Sequence, residues 1–201
     1  MTAATASRRS FSYTTLDIVV IAVIGVVFGI LNSPMGTIYQ AFQAAFGPIG
    51  SNIWGVFDIG QVLAMFIVRK PGAAFINMVI NGFVQMISGN PAGAITLGWG
   101  VTQGLGTELV FAAFGYRRFD WLACFLGGAM AQWLANVWTY YIYGFTQVGW
   151  TVIIASYVLG FFTYGIASGL VAYAIGKALQ KSGALKSFRS GNEPDILPRT
   201  A

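Results

Sequence analysis

The sequence predicts an all-α integral membrane protein, a bundle of six transmembrane helices with both termini in the cytoplasm. Three observations lead to this fold class: few charged residues, long stretches without any charge, and the positions of the basic residues. Of the 201 residues, 56% are hydrophobic and only 8% are charged, whereas about 25% are charged in an average soluble domain. Because so few charges cannot cover a water-soluble surface, we expect most of the chain to lie in a lipid bilayer.

Charge-free stretches that end at turn residues or basic pairs define the helices. The predicted spans are residues 16–31, 51–68, 72–87, 94–116 and two within 121–176. The first span is expected to stop at Asn32-Ser33-Pro34, with an amphipathic segment over residues 35–50 lying at the outer membrane surface. The last two spans are expected to turn around residues 144–149.

The basic residues set the orientation of the predicted helices. A six-span topology places all of them on one side: Arg8, Arg9, Arg69, Lys70, Arg117, Arg118, Lys177, Lys181, Lys186, Arg189 and Arg199. Cytoplasmic loops carry the excess of lysine and arginine, so this side is predicted to be cytoplasmic. The chain then divides into a cytoplasmic segment (1–14), a membrane domain (15–180) and a flexible cytoplasmic tail (181–201).

The composition also excludes several kinds of chemistry. There is no histidine and one cysteine, Cys124, so we expect no metal centre, no cofactor and no catalytic triad. The sequence has no Gly-x-x-x-x-Gly-Lys-Ser/Thr phosphate loop, and an ATP-driven step would therefore need a partner protein. Because membrane topology explains the basic residues, we expect no nucleic-acid partner.

Two carboxylates lie well inside predicted spans, Asp58 and Glu108. A charge at the centre of a membrane helix costs roughly 2.5 to 3.5 kcal/mol, so such residues are functional candidates, although they can also be protonated or bonded to neighbouring helices. Amides form stripes at intervals of four residues on two spans: Asn77, Asn81 and Gln85, then Gln132, Asn136 and Tyr140. With Trp54, Gln61, Trp99 and Gln103 they predict a cavity that opens outward, and the alternative is hydrogen bonding between helices.

Small residues on the first span, Ala22, Gly25 and Gly29, allow another helix backbone to approach closely. They serve either packing inside the bundle or docking of a separate protein.

Several segments together resemble the S components of energy-coupling factor (ECF) transporters, in particular the YkoE-type thiamine or hydroxymethylpyrimidine family. The resemblance covers about residues 12–180. It rests on residues 47–58 (GPIGSNIWGVFD), 69–74 (RKPGAA), 97–100 (LGWG), 104–109 (GLGTEL) and 115–118 (GYRR).

This resemblance implies a substrate-capture subunit of the bacterial cytoplasmic membrane, which takes its vitamin from outside. It implies association with a transmembrane T component and two ATPases, which supply the energy for release inside. The small residues of the first span match the family's docking surface for the T component. The segment from Tyr39 to Phe46 matches its gate.

An aminopyrimidine offers a ring nitrogen beside an exocyclic amine, which a carboxylate or an amide can pair with. Glu108 is the predicted anchor, and aromatic faces suit the thiazolium cation of thiamine. The predicted substrate-binding residues are Glu108, Gln103, Trp99, Asn81, Gln85, Asn136, Tyr140, Trp138, Trp54 and Asp58. The sequence does not choose between thiamine and hydroxymethylpyrimidine. Two other functions stay open: a membrane-embedded enzyme acting on a lipid or prenyl substrate, and a homo-oligomeric channel.

Overall fold

The computed structural model describes residues 11–197, so Arg8, Arg9 and Arg199 lie outside the described part. Apart from one bridge between Arg118 and Ile196, the regular structure in this part is helical. Its helices are α1 (Thr15–Phe46), α2 (Ile59–Val68), α3 (Ala73–Ile87), α4 (Ile95–Ala113), α5 (Trp121–Ile142), α6 (Trp150–Tyr164), α7 (Val171–Ser182) and α8 (Arg189–Asn192). A π-helical turn, Gly165–Leu170, joins α6 to α7.

Helix α1 does not stop where the sequence predicts. It begins at a capping box, in which the side chains and backbone N–H groups of Thr14 and Asp17 bond reciprocally, and it continues through Pro34 to Phe46. A proline inside a helix removes one hydrogen bond, but contacts beside it hold the helix in place. Asn32 Nδ2 donates to the carbonyl of Phe57 at 3.0 Å. The predicted amphipathic segment is therefore mostly the second half of α1.

The second predicted span is helical only from Ile59, and α2 has ten residues. It is about 15 Å long, half of the hydrocarbon thickness of a bilayer. The chain before it forms turns that are stabilised by side chains from elsewhere: Ser168 Oγ donates to the Gly55 carbonyl and accepts from the N–H of Asp58. Irregular backbone is tolerated at membrane depth where it is buried in protein in this way.

The remaining helices agree with the predicted spans to within a few residues. Two helical stretches, Thr15–Phe46 and Trp150–Ser182, are long and apolar enough to cross a membrane. Large apolar side chains are exposed along α1, including Val23 and Ile30 at 54% each. Such a surface suits lipid rather than water.

The tail packs against the bundle as far as Leu197, in the region where the sequence predicts a flexible segment. Leu185 and Phe188 are buried in the main apolar cluster, and the N–H of Phe119 donates to the carbonyl of Asp195 at 2.7 Å. The guanidinium of Arg69, which is fully buried, bonds the carbonyl groups of Glu193 and Pro194 and the carboxylate of Asp195. A buried guanidinium requires acceptors, and the tail supplies them.

Gly25 and Gly29 pack inside the bundle rather than on a docking surface. A Cβ atom on Gly25 would lie 2.9 Å from the carbonyl oxygen of Asn77, and one on Gly29 would lie 2.6 Å from Val84 Cβ. Both glycines therefore bring α1 close to α3. Of the predicted docking residues, Ala22 alone lies in an open groove, whose lining is Tyr13, Ile18, Ile21, Ala22, Ile76 and Ile80.

We expect Gly29→Ala to lower the free energy of unfolding by about 1 to 3 kcal/mol, because the added methyl group overpacks the contact with α3. Gly149→Ala is the matched control, since a Cβ atom there meets nothing within 4 Å and the φ angle is −58°. Thermal unfolding in detergent would measure both. Equal stability of the two variants would contradict the internal packing role of Gly29.

Candidate functional site

A cavity lies at the end of the bundle opposite to the buried Arg69 and Lys70. Its volume is about 30 Å³, and it is partly open to solvent. The lining residues come from α1, the segment before α2, and α3 to α6: Gly36, Tyr39, Phe57, Gln85, Asn90, Ala92, Trp99, Gln103, Gln132, Thr139 and Tyr164. The wall thus combines amides with aromatic rings.

The amides on one side form a chain along α3. Asn90 Nδ2 donates to Gln85 Oε1 at 2.9 Å, and Gln85 Nε2 donates to Asn81 Oδ1 at 2.7 Å. Asn81 is fully buried and lies behind Gln85 rather than on the wall. Gln103 of α4 faces the same space, and its amide has no hydrogen bond within residues 11–197. This amide is therefore available to a ligand.

A second group of amides holds Gln132 in place. Gln132 Nε2 donates to Asn52 Oδ1 and to Asn136 Oδ1, both at 3.0 Å, and Asn136 Nδ2 donates to Asn52 Oδ1 at 3.1 Å. Asn136 and Asn52 are fully buried. Asn136 therefore orients the cavity residue Gln132 instead of lining the cavity itself.

The aromatic rings pack against one another at the cavity wall. The ring of Tyr39 contacts the edges of Phe57 and Trp99, with centroids 5.8 and 5.4 Å apart. The indole Nε1 of Trp99 donates to Thr139 Oγ1 at 2.8 Å, and its ring stacks on Tyr143 at 6.3 Å. These contacts fix the orientation of the Trp99 ring before any ligand arrives.

Glu108 does not lie in the cavity. Its carboxylate accepts from the N–H groups of Gly72 and Phe75, at 2.5 and 3.4 Å, and from the hydroxyl of Tyr116 at 2.8 Å. The N–H groups of the first turn of a helix have no partner inside that helix, and a carboxylate there is also favoured by the helix dipole. Glu108 thus caps α3 at the basic end of the bundle, away from this cavity.

Four other predicted residues lie outside the lining. Trp138 Nε1 donates to the carbonyl of Ile95 at 3.2 Å, the hydroxyl of Tyr140 bonds Ser156, and the ring of Trp54 packs on Phe42. Asp58 is fully buried next to the lining residue Phe57. The cavity therefore receives only Gln85, Trp99 and Gln103 from the predicted set.

Some lining residues were missed that the sequence pattern can locate. Thr139 lies three residues after Asn136 and shares its helix face, but it was not named, and Gln132 was named in the amide stripe but not among the substrate-binding residues. Tyr39 was assigned to a surface segment because α1 was expected to end before it. No pattern in the sequence pointed to Tyr164 or Asn90.

An all-helical membrane bundle with a polar and aromatic cavity at one end defines a membrane-embedded substrate-binding protein. Residues 16–134, more than half of the chain, match the family described as the permease component of ABC-type cobalt transport systems. The chain is 27% identical over 183 residues to a putative HMP/thiamine permease protein, YkoE, of Bacillus subtilis (strain 168), covering 90% of this chain and 92% of the relative.

The fold matches the crystal structure of an S component of an ECF transporter with a TM-score of 0.85 and 26% identity, over 90% of this chain and 92% of the other. The chain therefore belongs to this permease family and is an S component of the ECF type. The resemblance predicted from the sequence is confirmed. The chain is therefore a substrate-binding subunit of a membrane transporter.

Proposed function

We propose that this chain captures thiamine or its hydroxymethylpyrimidine precursor from outside the cell and passes it to a T component and two ATPases for release inside. The observation that carries this proposal is the free amide of Gln103 in a cavity walled by aromatic rings. Its oxygen can accept from the exocyclic amine of an aminopyrimidine, while its N–H donates to the adjacent ring nitrogen. Gln103 thus replaces Glu108 as the proposed pyrimidine anchor.

The orientation of the protein in the membrane follows from the positions of its basic residues. Arg69 and Lys177 meet Asp195 at the end of the bundle away from the cavity. Because lysine and arginine favour the cytoplasmic side, the cavity then opens outward, with six spans in the bacterial cytoplasmic membrane and both termini inside. A cavity that opens to the outside is suited to the uptake of a ligand from outside the cell.

Docking of the T component is proposed at the exposed apolar face of α1. Gly25 and Gly29 are used by α3, so the part of the predicted docking surface that stays available is the groove containing Ala22. Its lining residues are apolar apart from the hydroxyl of Tyr13, and it can accept the side chains of a partner helix within the membrane.

We expect Gln103→Ala to weaken ligand binding about tenfold, since the lost amide pair is worth about 1.4 kcal/mol. Quenching of tryptophan fluorescence during titration with thiamine and with hydroxymethylpyrimidine would measure it. Glu108→Gln is the control: it keeps a carbonyl oxygen for the N–H of Gly72, and its affinity should equal that of the wild type.

Two results would contradict this assignment. If neither compound quenches the wild-type fluorescence or releases heat on binding, the thiamine-type function is wrong. If Glu108→Gln loses affinity and Gln103→Ala does not, the anchor lies at the basic end of α3 after all.

A further inference from the structure

Asp58 is a fully buried carboxylate without a partner. Neither of its oxygen atoms forms a hydrogen bond within residues 11–197, and its side chain does not cap α2. Gln61, three residues further on the same helix, is also fully buried, and neither its Oε1 nor its Nε2 has a partner there. Asp58 is the N-cap residue of α2 and Gln61 is its third residue, so both unpartnered groups lie at the N-terminal end of this helix.

Asp58 takes part in no ion pair among the described residues. The pairs that do form join Asp17, Asp120 and Asp195 to basic residues near the opposite end of the bundle. A buried charge is costly unless a partner compensates it. In the empty protein, burial therefore favours the neutral carboxyl group, and a cation close to it would favour the ionised form.

The position of Asp58 connects this charge to the binding cavity. Its chain neighbour Phe57 lines the cavity, and so does Tyr164, which lies four residues before Ser168. The N–H of Asp58 donates to Ser168 Oγ at 3.1 Å, in the π-helical turn that follows Tyr164. Asp58 is thus placed directly behind the wall that Phe57 and Tyr164 form.

We propose that Asp58 is the counter-charge for a cationic ligand, so that the cavity selects thiamine, through its thiazolium ring, over the neutral hydroxymethylpyrimidine. The inference rests on the proposed function and names the ligand class. Aromatic faces at the wall attract the cation, and a carboxylate behind them acts across the ring in surroundings of low dielectric constant.

The test compares two ligands on the Asp58→Asn variant, which keeps the size and shape of the side chain. We expect the affinity for thiamine to fall at least tenfold and that for hydroxymethylpyrimidine to change less than twofold, both by isothermal titration calorimetry. Asp120→Asn is the matched control, because it makes the same change at the basic end of the bundle. It should alter neither affinity.

Thermal unfolding of the ligand-free variant separates a binding effect from misfolding. Asp58→Asn should unfold at the same temperature as the wild type, because it replaces a buried carboxyl group that has no hydrogen-bond partner by an amide of the same size. Asp58→Ser, a smaller neutral replacement, should show the same shift in ligand preference.

Three outcomes would overturn the inference. The first is an equal loss of affinity for both ligands, and the second is unchanged thiamine affinity in Asp58→Asn. The third is thiamine binding that depends on sodium in the wild type and loses this dependence in Asp58→Asn, since a metal ion would then occupy the site. If the wild type binds neither compound, the proposed function itself fails, and this result differs from all three.

Discussion

Asp195→Ala is expected to lower the free energy of unfolding by about 3 kcal/mol, because it leaves a buried guanidinium without its charge partner. Arg69 is fully buried, and its Nη2 lies 2.7 Å from Asp195 Oδ1. The other carboxylate oxygen accepts from Lys177 Nζ at 2.9 Å. Removing the carboxylate therefore breaks both ion pairs, and Arg69 keeps only the backbone carbonyl groups of Glu193 and Pro194 as acceptors in the tail. Denaturant unfolding in detergent micelles, followed by tryptophan fluorescence, would measure the loss.

Asp120→Ala is the matched control at the same end of the bundle. The ion pair of Asp120 with Arg118 is similar in length, at 2.6 Å, but the side chain of Arg118 is 35% exposed. Pairs that are partly solvated contribute about 1 kcal/mol or less. A loss in Asp195→Ala no larger than that in Asp120→Ala would mean that the tail is not held by Arg69.

The ion pairs of Asp195 also make the free energy of unfolding depend on pH. Burial alone would raise the pKa of Asp195, but hydrogen bonds from Lys177 and Arg69 outweigh it and hold the pKa below the ordinary value of 3.8. A depressed pKa in the folded state contributes stability that is complete above the unfolded-state pKa and is lost as the pH falls through the folded-state pKa. The wild type should therefore lose this contribution below about pH 4, and Asp195→Ala should not.

Helices α3 to α6 were predictable from the sequence because charged pairs and turn residues mark their ends. The region from Pro34 to Asp58 was not, since its structure depends on contacts between distant parts of the chain. Asn32 bonds the carbonyl group of Phe57, just before α2, and Ser33 bonds that of Ser88, at the end of α3. Ser168 stabilises the turn at Gly55. Local pattern carries no information about such partners.

The binding site, like the fold, was predictable from the sequence only in part. The amide stripes predicted a polar face on α3 and α5, and Gln85 and Gln132 do line the cavity. Glu108 was predicted as the anchor because a carboxylate inside a span is a functional candidate by default, and the sequence does not show that the first turn of α3 lies beside it. The tail was judged from its polar composition, which does not reveal that Arg69 needs acceptors.

Trp99→Ala is expected to weaken thiamine binding about 100-fold, or about 2.7 kcal/mol. The variant removes an aromatic face for the thiazolium ring, which is worth about 2 kcal/mol when desolvated. It also removes the T-shaped contact between the rings of Trp99 and Tyr39. Isothermal titration calorimetry is the appropriate measurement, because the substitution also removes the tryptophan that lines the cavity and would report binding by fluorescence.

Two further variants decide how Trp99 acts. Trp99→Phe keeps an aromatic face but loses the hydrogen bond to Thr139, so its affinity should fall about tenfold. Trp150→Ala is the control, since that side chain is 79% exposed and does not line the cavity. If Trp99→Phe binds as weakly as Trp99→Ala, the indole acts through its hydrogen bond and position. If both bind as the wild type does, the cavity at Trp99 is not the thiamine site.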